Sequence, residues 1–220
     1  MDFLSMIKNW HLYVITDEQL SKGRSHAEIA RSAIEGGADV IQFRDKTASS
    51  RKLYDDALAI RKITRQAHVS FIVNDRIDIA LAVNADGVHV GQKDMPALVA
   101  RQLIGKNKIL GISAETLEQA VQAEKDSADY LGVGPIYEAR ATKPDACEPM
   151  GLFLLRQVRQ KCQVPIIAIG GINHNNAKEV IQAGADGIAV ISAIVAAEDV
   201  SAASRELKAL VRNERKRCEE

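Results

Sequence analysis

The sequence predicts a single (β/α)8 barrel, a TIM barrel, spanning residues 1–220 with a short N-terminal extension over 1–11. Three observations predict it. Short uncharged apolar runs alternate with amphipathic stretches, as in a parallel sheet covered by crossover helices. Ala-Asp recurs at Ala38-Asp39, Ala85-Asp86, Ala128-Asp129 and Ala185-Asp186, each just before or opening an apolar run. The spacings of 47, 43 and 57 residues each hold two strand–helix units, so the four repeats imply eight strands. Finally, PIIAIGGINHNNAKEVIQAGADGIAVISAI, from Pro165 to Ile194, reads strand, glycine turn, helix, strand. An open doubly wound sheet is the competing architecture, but no GxGxxG follows the first strand.

The elements follow in order. Leu12 to Thr16 is the first strand. Ser25 to Glu35 is a helix with Ser25 as N-cap and Glu28 at capping-box spacing, ended by Gly36-Gly37. Asp39 to Phe43 is strand two and Ala48 to Ala67 a long helix. Strands three to six are Ser70 to Val73, Asp86 to Val90, Ile109 to Ile112 and Asp129 to Val133. The helices between them are Ile77 to Val83, Pro96 to Leu103 and Thr116 to Lys125, with Pro96 tolerated in a first turn. Gly151 to Lys161 is the next helix. Ile166 to Ile169 is strand seven, Asn173 to Gln182 a helix ended by Gly184, and Ile188 to Ile191 strand eight. Asp199 to Arg212 closes the chain as an amphipathic helix.

Composition narrows the function. A formal net charge of zero and a pI near 7.0 give no footprint for nucleic acid or a membrane surface. No apolar run is long enough to span a bilayer. Cys147, Cys162 and Cys218 form no CxxC pair; an odd, unpatterned set argues for a reducing cytoplasm and against a disulfide framework or zinc site. The sequence leaves the oligomeric state open, a homo-oligomer included.

In a barrel of this kind the active site lies at the carboxyl ends of the strands, so the residues that follow each strand carry the chemistry. Gln42, Arg44 and Lys46 share one face of strand two, and a guanidinium fork with a mobile ammonium suits a diphosphate. Asn74-Asp75 and Asp94 follow strands three and four. Adjacent strands lie about 5 Å apart, so the two carboxylates can converge on a Mg²⁺ ion that also takes phosphate oxygens. Each aspartate also precedes a helix, where the bland reading is an N-cap. Ser113 follows strand five and could cap the next helix or meet a phosphate; Glu115 reads as a helix-start glutamate. The loop from Gly134 to Gly151 is long enough for a lid and supplies Arg140, Thr142 and Lys143. Gly170-Gly171 with Ser192 reads as a second phosphate seat.

QFRDK, VNDR, HVGQKD, GISAE, GPIY…TKPDA, AIGGI and VISAI stand in this order from about Leu12 to beyond Ile194. The ordered set resembles the thiamine-phosphate synthase family, barrels that join a hydroxymethylpyrimidine diphosphate to a thiazole phosphate and release diphosphate. The resemblance implies that Gln42, Arg44, Lys46, Asn74, Ser113 and Lys143 hold the pyrimidine diphosphate. It implies Asp75 and Asp94 for Mg²⁺, and Thr142, Gly171, Ile191 and Ser192 for the thiazole phosphate. Arg44, Lys46, Ser113 and Lys143 would act on the departing diphosphate. Two departures stand out. Residues 138–143, EARATK, run one residue longer than the family's Pro-Thr-x-Thr-Lys, with Arg140 as a substitute phosphate ligand. Glu115 stands where members often carry His. The sister thiazole tautomerases use a histidine there, so Glu115 and the retained Asn74, Asp75 and Asp94 favour the synthase. A thiazole phosphate tautomerase and a non-catalytic barrel that binds thiazole or thiamine phosphate are the alternatives.

Overall fold

The computed structural model describes residues 3–139 and 148–219. Eight parallel strands close on themselves in chain order. They are β1 Leu12–Ile15, β2 Val40–Phe43, β3 Ser70–Asn74, β4 Gly87–Val90, β5 Ile109–Ala114, β6 Tyr130–Val133, β7 Ile166–Ile169 and β8 Gly187–Val190. Around them run α1 Phe3–Ile7, α2 His26–Glu35, α3 Ser50–Ala67, α4 Ile77–Ala82, α5 Ala97–Ile104, α6 Leu117–Lys125, α7 Gly151–Lys161, α8 Ala177–Gln182, α9 Ser192–Val195 and α10 Val200–Glu219. The expected eightfold barrel is therefore what the chain forms.

Local rules account for most boundaries. Ser25 caps α2 in a complete capping box with Glu28, and Ser49 and Thr116 cap α3 and α6 through their hydroxyls. The helix expected from Asn173 starts only at Ala177. Asn173, Asn175 and Asn176 instead form a turn in which Asn173 N–H donates to Asn176 Oδ1 at 2.8 Å and Asn175 N–H to Asn173 Oδ1 at 2.9 Å. Side-chain amides there compete with the helical ladder. The last helix runs on to Glu219, beyond the expected Arg212.

Two cores result. One lies between barrel and helices; the other fills the barrel itself. Val40, Ile72, Ile109, Ile167 and Ala189 point inward with Tyr13 and Tyr130. The N-terminal extension closes the floor. Ile7 and Trp10 are buried in this inner core, and the Trp10 ring meets Tyr13 and Tyr130 edge-on at 5.9 and 5.4 Å. Residues 3–10 are thus a plug as well as an extension.

The Ala-Asp repeat has a physical purpose at the same floor. Asp39 Oδ2 accepts from the Leu12 N–H of β1 at 3.0 Å, and Asp86 Oδ2 from the Phe71 N–H of β3 at 2.8 Å. Asp129 Oδ2 accepts from the Leu110 N–H of β5 at 2.7 Å, and Asp186 Oδ2 from the Ile166 N–H of β7 at 2.8 Å. Each carboxylate clasps the strand it introduces to the strand before. A cation from an outer helix neutralises each one: Lys208, Arg61, Arg101, and for Asp186 both Arg159 and Arg215.

Candidate active site

Read upward from that floor, the barrel interior becomes polar one layer before the mouth. Gln42 Nε2 donates to the Tyr13 hydroxyl at 2.7 Å, which lies 2.9 Å from the Tyr130 hydroxyl. Tyr130 Oη is 3.0 Å from His89 Nδ1, and His89 Nε2 is 2.9 Å from Ser113 Oγ. One chain of hydrogen bonds therefore crosses the barrel from β2 to β5. Burial pushes the phenols of Tyr13 and Tyr130 well above the usual tyrosine range, so both stay neutral donors and acceptors.

Space for this layer is made by absent side chains. A Cβ on Gly111 would lie 2.1 Å from Tyr130 Cζ, and one on Gly132 would lie 2.8 Å from His89 Cε1. Tyr130 cannot retreat, because Trp10 lies against it and its hydroxyl is held at both sides. Gly111→Ala should therefore destabilise the protein by about 1–3 kcal/mol through overpacking. A thermal melt checks this, and an unchanged midpoint would mean that the ring is free to shift.

Above this layer a cavity opens, lined by Gln42, Arg44, Lys46, Asn74, Asp75, His89, Asp94, Ser113 and Ile191. The strand ends bring together the residues expected from β2 to β5. Asp75 sits at φ +58° immediately after β3, and its N–H donates to the His89 carbonyl at 2.8 Å. Its carboxylate lies 3.5 Å from Lys46 Nζ. Burial, a hydrogen bond with Asp94 and repulsion from the Asp94 carboxylate, in that order, push Asp75 up to about 6. Lys46 pulls the other way and does not prevail.

Neither aspartate is a helix cap. Arg76 and Pro96 occupy the cap positions of α4 and α5, without a side-chain cap bond. Asp94 Oδ2 accepts from the Gly91 N–H at 2.9 Å, which holds its own loop. Ser113 is not the cap of α6 either, since Thr116 is. Arg44 Nη1 lies 3.9 Å from Asp17 Oδ2, a loose charge pair at the edge of the cavity. Glu115 is half-buried and lines a second cavity rather than facing solvent as a helix-start residue.

That second cavity adjoins the first. Ser113, Gly132, Ile169, Ala189 and Ile191 line both. Its far wall is Gly170, Gly171 and Ser192. Gly170 and Gly171 have φ of +101° and +63°, and a Cβ on either would strike the chain at Pro135 or Tyr137–Glu138 within 2.7 Å. Only glycine allows both the left-handed turn and the close packing of the strand-six loop here. Arg140, Thr142 and Lys143 lie outside the described residues.

Sequence reasoning missed Tyr13, His89 and Tyr130. Each is a polar-tipped ring within a strand run otherwise apolar, and that was the available signal.

A family model described as thiamine monophosphate synthase matches residues 12–194. The chain is 60% identical over 208 residues to a thiamine-phosphate synthase of Chloroflexus aurantiacus, covering 94% of this chain and 95% of the relative. It is 54% identical over 202 residues to one from Methanocella arvoryzae, covering 92% and 95%. A solved structure of thiamine phosphate pyrophosphorylase from Pyrococcus furiosus superposes with a TM-score of 0.87 at 45% identity, covering 96% of this chain and 98% of the other.

Proposed function

Since the chain belongs to the thiamine monophosphate synthase family, we propose that its two adjoining cavities hold the two partners of one transfer reaction. The reaction joins 4-amino-2-methyl-5-pyrimidinylmethyl diphosphate to 4-methyl-5-(2-phosphoethyl)thiazole and releases diphosphate. The observation that carries this reading is the pairing of a basic, carboxylate-bearing cavity with a glycine-walled one across a shared wall.

Gln42, Arg44, Lys46, Asn74 and Ser113 bind the pyrimidine diphosphate, and Gly171, Ile191 and Ser192 bind the thiazole phosphate. Lys143 for the first and Arg140 and Thr142 for the second complete the assignment from the resemblance. Asp75 and Asp94 hold a divalent cation, taken as Mg²⁺. The donor set fits it: two carboxylates sit so close that one holds its proton up to about 6, the arrangement a cation relieves. When bound, such an ion supplies Lewis-acid neutralisation of diphosphate oxygens.

The protein's own part is positioning and charge. Arg44 and Lys46 face the diphosphate and neutralise the negative charge that grows as the C–O bond breaks. The substrate's amino group stabilises the pyrimidinylmethyl cation, and the thiazole nitrogen captures it. No side chain need remove a proton. The Gln42–Tyr13–Tyr130–His89–Ser113 chain forms a polar floor to the cavity, and holding both partners above it makes the bond-forming step effectively unimolecular. The unpatterned cysteines, with Cys162 and Cys218 free among the described residues, support a reducing cytoplasmic setting.

The test is diphosphate release from the two substrates with and without EDTA. Metal-dependent release that needs both substrates is expected. Activity on the thiazole phosphate alone without metal would overturn the reading in favour of an isomerase, and tight binding with no release in favour of a binding protein.

A further inference from the structure

We propose that Glu18, His26 and Asp45 form a second cation site, for a divalent transition ion such as Zn²⁺, directly behind the basic end of β2. One ligand atom from each lies within 4.8 Å of the other two. His26 is 1% exposed, and its Nε2 has no hydrogen-bond partner. Asp45 Oδ2 lies 3.7 Å away, beyond hydrogen-bond reach. A buried ring nitrogen without a partner costs stability unless something else fills its lone pair or takes its proton.

The ring is held so that this nitrogen points at the carboxylates. His26 Nδ1 is 2.7 Å from Thr16 Oγ1, and Phe43 stands edge-on to the ring at 4.8 Å and 88°. A hydrogen-bond partner on one ring nitrogen fixes the orientation of the other, as it does for a metal-bound imidazole, and the Thr16 hydroxyl fills that place here. Burial lowers the pKa of His26, which favours the neutral form that ligates.

The carboxylates are arranged to match. Asp45 Oδ1 is fully engaged by the N–H and hydroxyl of Thr47 and the N–H of Ala48, at 2.8, 3.0 and 3.0 Å. That leaves Oδ2 toward His26. Glu18 accepts from the His26 N–H at 3.3 Å and lies 3.3 Å from Lys52 Nζ. Lys52 has Asp56 at 2.7 Å as its nearer partner, so Glu18 can turn to an ion while Lys52 stays paired. Asp17, Arg44 and Lys46 border the same depression, with Arg44 facing Asp17 and Lys46 facing Asp75. One imidazole with two carboxylates selects a borderline transition ion over Mg²⁺, whose preferred ligands are all oxygen.

The site's place gives it a consequence. Asp45 stands between Arg44 and Lys46 in the chain. An ion joining Asp45 to Glu18 and His26 ties the loop after β2 to the start of α2, and so fixes from behind the two cations that face substrate.

The experiment is calorimetric titration of Zn²⁺ into the metal-stripped full chain, with Mg²⁺ in excess to occupy the mouth. A single site is expected, with affinity at least about 10-fold weaker in His26→Gln. Glu18→Gln, at a half-buried surface position, should weaken it too without threatening the fold. Asp75→Asn should leave Zn²⁺ binding unchanged, which separates this site from the mouth. Bound Co²⁺ should give a visible absorption band that His26→Gln abolishes. No Zn²⁺ binding, or binding that Asp75→Asn weakens and Glu18→Gln does not, would overturn the proposal while leaving the assignment of the mouth untouched.

Discussion

Replacing Asp75 by asparagine should lower diphosphate release by about 10²–10³-fold at pH 7.5, the scale of losing one preorganised charge-stabilising group. The metal-free variant should nevertheless melt no lower than the wild type. Asn keeps the shape at the left-handed position after β3 and removes only charge. That charge is a burden on the empty fold: burial and Asp94 raise the Asp75 pKa from 3.8 to about 6. A carboxyl whose folded pKa is raised contributes most stability below its unfolded value, and that contribution is lost as pH rises through the folded pKa. At pH 7.5 the loss is complete in the wild type and absent in Asp75→Asn. The same shift sets how activation by the divalent ion depends on pH. Protons compete with the ion for Asp75 below about pH 6, so the concentration needed for half-maximal activity should rise as pH falls from 7 to 5. Saturating ion should restore activity, because a bound cation favours the charged form. Metal-titration curves across this range check the claim; a half-maximal concentration independent of pH would remove Asp75 from the site.

Asp186→Asn should have the largest effect on stability of the four floor aspartates, about 3 kcal/mol, with turnover per folded molecule unchanged. Asp186 is 7% exposed and meets two arginines, Arg159 at 3.1 Å and Arg215 at 3.0 Å, besides the Ile166 N–H. Removing the charge leaves both guanidiniums facing a neutral amide in a mostly buried place. In a domain of this size about 3 kcal/mol lowers the melting midpoint by roughly 6–12 °C. Asp86→Asn is the comparison: that carboxylate is 35% exposed and meets one arginine, so water covers more of the loss. Equal losses in the two variants would mean that the second arginine and the burial add nothing.

The barrel and its mouth were legible for the same reason. Parallel strands buried on both faces leave unmistakable apolar runs, and functional residues collect where those runs stop. Arg44, Lys46, Asp75 and Asp94 all stand at such stops. What lies inside the runs was not legible. Tyr13, His89 and Tyr130 occupy strand positions whose two faces are both buried, so alternation does not distinguish the barrel interior from the helix-facing side. Residues 3–7 were hidden for a different cause: a single short helical turn owes its existence to the cavity it fills. The Ala-Asp repeat lies between these cases. Its period revealed the strand count, but a carboxylate that reaches a neighbouring strand many residues away leaves no trace in local sequence.

Those four clasps give the cylinder a grain. They join its staves as 1 with 2, 3 with 4, 5 with 6 and 7 with 8, and each join is anchored by a charge from outside. Under partial denaturation the wall should therefore split between such couples rather than within them, and amide exchange at the foot should show protection alternating strong and weak around the ring.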